Sequence, residues 1–184
     1  MSNITKRAMA QSLKKILVVK ELDKITITDI TNDCGINRQT FYYHFKDIYD
    51  LLEWIFANEI VEKIEKETTI ETWQDNFKYV LDYMLKNKKF IIKTYNSLSR
   101  KTLLDFLFNQ YNTIFIEIVN DLSKNYNITK ENKIFIANFY KYGFAGIIEN
   151  WIVTEMKESP ESIIKKLDVM ISGNFEEAVR KMSN

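Results

Sequence analysis

The sequence predicts an all-α protein, and three observations carry that reading. Only 4 glycines and 1 proline punctuate the 184 residues, too few turn formers for a sheet. Lysine, leucine, isoleucine, glutamate and asparagine recur at helical spacing. A hydrophobic content of 46% supplies a real core, and the length suits one large domain or a small domain joined to a medium one.

The first helix is expected from about Thr5 to Lys20, with Ile4, Ala8, Leu13, Ile16 and Leu17 as its apolar stripe. ELDKI (21–25) then breaks the pattern. Thr26 is placed to cap a short helix running through Asp33, with Asp29 at the third position, where a carboxylate complements free backbone amides. Gly35 ends that helix because glycine tolerates positive φ, and Asn37 is placed to cap a second short helix from Arg38. The result is helix, tight turn, helix.

Asp47 is expected to cap a longer helix reaching about Lys66, on which Leu51, Leu52, Ile55, Phe56 and Ile60 recur at three- and four-residue steps. Composition shifts at KETTIET (66–72), and helices follow near 72–86, 88–97, 100–125, 130–157 and 160–181. Thr72, Asn87, Thr129 and Ser159 are their expected caps, with Pro160 at the first position of the last helix. No internal repeat or low-complexity linker interrupts the chain.

Net charge is +1, which excludes a diffusely basic protein but not a basic face. Residues 1–20 hold Lys6, Arg7, Lys14, Lys15 and Lys20 and no acid, so a local positive field is expected there. The single cysteine, Cys34, excludes internal disulfides and any cysteine-based zinc site and fits a reducing compartment. No apolar run reaches membrane-span length and no signal peptide opens the chain, so a cytoplasmic protein without membrane association is expected.

On a helix over residues 38–45, Phe41 and Phe45 share one face, four residues apart, where they can join Ile27, Ile30 and Ile36 in a small core. Arg38, Gln39, Thr40, Tyr42, Tyr43 and His44 are left on the remaining surface. Such a face can enter the major groove, where arginine and glutamine read base edges and apolar groups meet thymine methyls. Tyrosine hydroxyls and an imidazole also reach phosphate oxygens, which fixes register. Two short helices joined by a glycine turn have the spacing of a helix-turn-helix, with the second helix presented for docking.

The stretch ITITDITNDCGINRQTFYYHFKDIYDLLEWIF (25–56) closely resembles the amino-terminal DNA-binding domain of the TetR/AcrR family of bacterial transcription regulators. The resemblance covers about residues 5–60. It rests on the isoleucine-rich start of the second helix, the turn glycine, the threonine-aromatic-tyrosine run and the histidine-phenylalanine pair. It implies that Thr28, Arg38, Gln39, Thr40, Tyr42, Tyr43 and His44 contact DNA, and that Phe41 and Phe45 are structural.

Two positions depart from the pattern. Thr31 stands where the family usually has alanine at the close contact of the two helices, so the packing must accept a hydroxyl and a methyl. Ile48 stands where many relatives place a phosphate-binding lysine. Lys46 and the positive end of the following helix are the expected substitutes, so Lys46 joins the DNA-contacting set.

The resemblance further implies a DNA-binding domain over residues 1–47 and a helical effector-binding and dimerisation domain over 48–184. In FYKYGFAGIIENWIVTEMKESPESIIKKL (139–167), Gly143 and Gly146 lie inside an expected long helix, where each costs roughly 1 kcal/mol relative to alanine. Close backbone approach to another helix is the expected compensation. Gly143, Gly146, Ile147 and Trp151 are therefore assigned to a homodimer interface in which this helix and the last one pair with their copies as a four-helix bundle, packing within one subunit being the alternative for the glycines. Two recognition helices about one DNA turn apart, roughly 34 Å, would then read a palindromic operator. The same stretch resembles, more loosely, a subgroup that includes the activator of dihydroxyacetone kinase operons, which implies that the effector is either a small molecule or a partner protein.

Trp54, Tyr79, Tyr83, Phe90, Tyr95, Phe106, Tyr111, Phe115, Phe139 and Tyr140 are the candidates for lining an effector cavity, with Trp54, Tyr83, Phe90, Tyr111, Phe115 and Tyr140 as the chosen set. Aromatics at helical spacing more often simply fill a core. Lys93, Arg100 and Asp105 are charged groups that a polar effector could use, though surface positions suit them too.

Catalysis is not expected. The chain has no glycine-rich phosphate loop and no metal-ligand cluster, its one histidine already has a DNA role, and no cofactor is implied. Cys34 as a redox sensor is set against its burial in the helix-turn-helix core. The overall expectation is a dimeric DNA-binding repressor relieved by an effector, against an activator controlled by a protein co-activator, or a helical adaptor that never touches DNA.

Overall fold

The computed structural model describes residues 2–60, 69–97 and 100–183, with no strand among them. The elements are α1 (Ser2–Leu17), a 3₁₀ turn (Leu22–Lys24), α2 (Ile27–Cys34), α3 (Arg38–His44), α4 (Ile48–Glu59), α5 (Trp73–Lys86), α6 (Lys88–Tyr95), α7 (Arg100–Leu122), α8 (Lys130–Val153), α9 (Pro160–Ile171) and α10 (Asn174–Lys181). None of the described helices is long and apolar enough to cross a membrane.

Packing divides the chain into two compact units. The first takes α1–α4, α6 and the first turns of α7 to Phe106; the second takes α5, the rest of α7 and α8–α10. This differs from a boundary after residue 47, because α4 and α6 both pack on α1. The stretch expected to extend α4 to Lys66 lies largely outside the described residues.

In the first unit the buried face of α1 is Met9, Ala10, Leu13 and Leu17. The expected stripe is corrected at its start, where Ile4 is 76% exposed and Ala8 is also exposed. Ile4 lies two and a half turns from Leu13, which places it on the opposite side of the helix. α4 buries Leu51, Leu52, Ile55 and Phe56, with Ile60 just beyond it. Phe56 meets Phe90 of α6 and Phe106 of α7 at ring separations of 5.8 and 5.2 Å.

In the second unit Phe144 of α8 is the hub of an aromatic core. It lies 4.8 Å from Phe115, 4.9 Å from Phe77, 5.6 Å from Trp73 and 6.1 Å from Tyr111. Tyr140 stacks on Phe175 of α10 at 4.0 Å. Gln74 of α5 donates to Asp168 of α9 at 2.7 Å, and Asn132 of α8 donates to the Met182 carbonyl at 2.9 Å.

Thr129 and Ser159 cap α8 and α9 through their hydroxyls, with Pro160 in the first turn of α9. Asn87 stands at the start of α6 without a side-chain cap bond, and the Thr72 hydroxyl accepts from the Thr69 amide at 3.0 Å. One expected helix over 160–181 is two. Gly173 adopts φ 77°, a left-handed conformation that separates α9 from α10 and suits glycine. α8 stops at Val153, short of the expected 157, and the turn after it places Glu155 and Met156 at φ 57° and 51°.

Candidate nucleic-acid interface

The recognition element is built from caps. Thr26 accepts from the Asp29 amide (3.2 Å) while the Asp29 carboxylate accepts from the Thr26 amide (2.7 Å), a reciprocal capping box at the start of α2. Lys20 donates to the same carboxylate at 2.6 Å. That bond, followed by those from Thr26, holds Asp29 at a pKa of about 2. α2 ends on Gly35 at φ 66°, and the Ile36 amide reaches back to the Thr31 carbonyl at 3.0 Å. Asn37 then caps α3 by accepting from the Thr40 amide at 2.8 Å. Thr31 is buried at the contact of the two helices, and its hydroxyl donates to the Thr28 carbonyl at 3.3 Å, so the extra polar group is satisfied.

α3 divides as its periodicity requires. Phe41 and Phe45 are buried with Ile30, while Ile27 and Ile36 are half-buried. Arg38, Gln39, Tyr42, Tyr43, Lys46 and Thr28 are exposed, Tyr43 at 83% and Tyr42 at 52%; Thr40 and His44 are half-buried. Arg38 donates to the Tyr42 hydroxyl at 3.4 Å, which leaves that hydroxyl's proton to point outward. The structure thus brings seven of the expected side chains onto α3 and its exit, with Thr28 in the first turn of α2.

Charge around this face differs from the expectation. Lys14 pairs with Glu59 at 2.6 Å, Lys15 with Asp33, and Lys20 with Asp29, so much of the acid-free segment is neutralised by acids from elsewhere in the chain. Lys6, counted in that positive segment but not among the DNA-contacting residues, lies 5.4 Å from the Phe45 ring centroid and 5.9 Å from that of Trp54. The start of α4 is also not an open anion site. The Asp47 carboxylate accepts from the Asp50 amide (2.9 Å) and the Asp50 carboxylate from the Lys46 amide (2.8 Å), so the anions there are the protein's own. Burial pushes the Cys34 thiol above its ordinary pKa, which disfavours the reactive thiolate.

The residues assigned to dimerisation separate. Gly143, Gly146 and Ile147 are exposed on α8, and a Cβ added at either glycine would meet nothing within 4 Å among the described residues. Close packing against the described residues of the subunit therefore does not account for these glycines. Trp151 is corrected: it is 3% exposed, and its indole N–H donates to the Glu158 carbonyl at 2.8 Å, which pins the turn between α8 and α9. An apolar residue at helical spacing reads alike on either face until the neighbours are known.

The effector candidates scatter as well. Tyr111 and Phe115 line a crevice in the second unit together with Trp73, Phe77 and Phe144, which the sequence reading missed although Trp73 and Phe77 stand four apart. Tyr140 packs beside Phe115, and Tyr83 is buried on α5 outside the crevice lining. Trp54 packs edge-on against Phe45 and Phe90 against Phe56, both in the first unit, so neither belongs to this crevice. Phe139 is exposed. Lys93 pairs with Glu21 at 3.2 Å, Arg100 lies over Tyr95 at 4.5 Å, and Asp105 pairs with Lys101 at 2.5 Å.

A glycine-turn helix pair that buries two phenylalanines and exposes a row of donors and aromatic hydroxyls, followed by an all-helical remainder, defines the helix-turn-helix regulators as a class. Comparison with known proteins narrows this. Residues 71–173 match the family model TetR_C_8, a transcriptional regulator C-terminal region. The chain belongs to the TetR family of transcriptional regulators.

Among curated proteins it is 27% identical over 154 residues to the HTH-type dhaKLM operon transcriptional activator DhaS of Lactococcus lactis subsp. lactis (strain IL1403), covering 83% of this chain and 81% of that one. Among solved structures, the dihydroxyacetone kinase operon activator DhaS shares the fold with a TM-score of 0.73 at 23% identity, over 98% of this chain and 99% of that one. Native NalD, described as the secondary repressor of the MexAB-OprM multidrug efflux pump in Pseudomonas aeruginosa, shares it with a TM-score of 0.58 at 12% identity, over 100% and 98%. These relatives are named as transcription regulators, none as an enzyme.

Proposed function

We propose that this protein is a homodimeric, sequence-specific DNA-binding regulator that inserts α3 into the major groove of each half of a palindromic operator. The division of α3 carries the reading: Phe41 and Phe45 anchor it from behind while Arg38, Gln39, Tyr42 and Tyr43 face solvent. Arg38 and Gln39 read base edges; Thr28, Tyr42, His44 and Lys46 serve phosphates, and Thr40 and Tyr43 offer apolar groups as well as hydroxyls. Lys6 adds a cation beside the far end of the same helix.

The dimer forms through the outer face of α8. Phe135, Phe139, Tyr142, Ile147 and Val153 are exposed along it, with Gly143 and Gly146 between them to admit a close helix. Val169 and Met170 are exposed apolar residues on α9. Regulation is repression relieved by an effector acting on the second unit. Activation is the second reading, favoured by the relatedness to a protein named as an operon activator.

Salt dependence of binding tests the DNA reading. A palindromic duplex recovered by selection from a randomised pool should lose affinity linearly in log Kd against log salt, with one unit of slope for about each phosphate neutralised. An adaptor that bound protein through the same face would select no duplex and show no such slope.

A further inference from the structure

Lys6 differs from its fellow lysines of the first twenty residues in what surrounds it. Lys14, Lys15 and Lys20 each meet a carboxylate. Among the described residues the Lys6 ammonium meets none, and lies instead 5.4 Å from the ring centroid of Phe45 and 5.9 Å from that of Trp54. Those two rings stand edge-on to each other, 5.9 Å apart at 66°, and make an aromatic corner.

Both separations are within reach of the attraction between a cation and an aromatic face. A ring carries no net charge, so the contact orients the ammonium without neutralising it, and its N–H donors keep their capacity for an anion. Lys6 is half-buried, as suits a lysine whose stem lies along the protein. Because the rings already restrict that stem, less conformational freedom is lost when an anion binds than from a loose lysine.

Position in the chain points to the anion. Phe45 follows the last residue of α3 and stands between His44 and Lys46, both assigned above to DNA phosphates. The Lys46 ammonium is exposed and, among the described residues, also has no acid partner. A second unneutralised cation held at the exit of the recognition helix is placed for the sugar-phosphate backbone beside the groove.

We propose that Lys6 is a DNA-phosphate contact and that Trp54, together with Phe45, is the positioning residue that holds its ammonium. The proposal rests on the regulator reading above and adds to it a contact from α1, outside the helix-turn-helix. The competing reading is a packing contact that ties α1 to α4, in which the charge is incidental.

The test is a fluorescence anisotropy titration of the selected palindrome over a range of salt, with the natural chain, Lys6→Gln, Trp54→Leu and the double variant. Each neutralised phosphate contributes about 0.9 to the slope of log Kd against log salt, and a dimer carries Lys6 twice, so Lys6→Gln should lower the slope by about two units. The sequence it selects from a randomised pool should stay the same, because phosphates carry no base information. Trp54→Leu should weaken binding roughly fivefold through lost placement. Once Lys6 is gone, Trp54→Leu should have no further effect.

An unchanged slope in Lys6→Gln or an altered selected sequence overturns the proposal. So does a Trp54→Leu loss that is equal with and without Lys6, which is the packing contact alone. In each of these cases the natural chain still binds its duplex, so the regulator reading stands. A natural chain that recovers no duplex from the pool sinks both.

Discussion

Asn37 Oδ1 accepts two hydrogen bonds from Thr40, one from its amide at 2.8 Å and one from its hydroxyl at 3.0 Å. The first caps α3. The second commits the Thr40 proton inward, so toward DNA this residue offers its methyl group and a lone pair, and no donor.

Loss of this cap should weaken both stability and recognition. Asn37→Ala removes the acceptor and should cost about 1 kcal/mol in urea unfolding, with a larger proportional loss of duplex affinity because the recognition helix starts there. Asn37→Asp keeps the acceptor and should retain most of the stability. Equal stability of the alanine and aspartate variants would contradict the cap.

The Asp29 capping box makes an acid-limb prediction. Its folded pKa, about 2, lies below the ordinary 3.8 because Lys20 and Thr26 hydrogen-bond the carboxylate. The folded state therefore binds its proton later than the unfolded chain does, so the stabilisation is complete above 3.8 and is lost as pH falls through about 2. Thermal unfolding from pH 5 to pH 2 should show a steeper fall in Tm for the natural chain than for Asp29→Asn. Parallel curves would show that the carboxylate makes no such contribution.

Trp151 and the outer face of α8 should respond oppositely to substitution. Trp151→Ala empties a buried site and frees the Glu158 carbonyl, so it should destabilise the fold by about 3–5 kcal/mol. Phe139→Glu and Ile147→Glu place charge on exposed apolar positions and should leave helical content unchanged while shifting sedimentation from dimer to monomer. A persistent dimer in the double variant would move the interface elsewhere.

Much of the first unit was legible because its signals are local. Capping residues at Thr26, Asn37 and Asp47, the turn glycine at 35 and the Phe41–Phe45 spacing act within four residues, and each falls where the sequence placed it. What failed depended on distant partners. Three of the five cations of residues 1–20, Lys14, Lys15 and Lys20, are paired with Glu59, Asp33 and Asp29, none of which a charge run can reveal. Trp151 and Ile147 are both apolar on one helix, yet one is core, with its indole N–H on the Glu158 carbonyl, and the other is surface. The aromatic crevice draws Trp73 and Phe77 from α5, Tyr111 and Phe115 from α7 and Phe144 from α8, a convergence that exists only after packing.

Duplex binding by Tyr42→Ala and Gln39→Ala, followed by fluorescence anisotropy on the selected palindrome, examines the role of α3 most directly. Both side chains are exposed and neither supports the core. Each variant should therefore stay folded and dimeric while losing affinity by about tenfold or more, with Gln39→Ala also relaxing sequence preference at one position of each half-site. Unchanged affinity in both variants would contradict the assignment of α3 as the recognition helix.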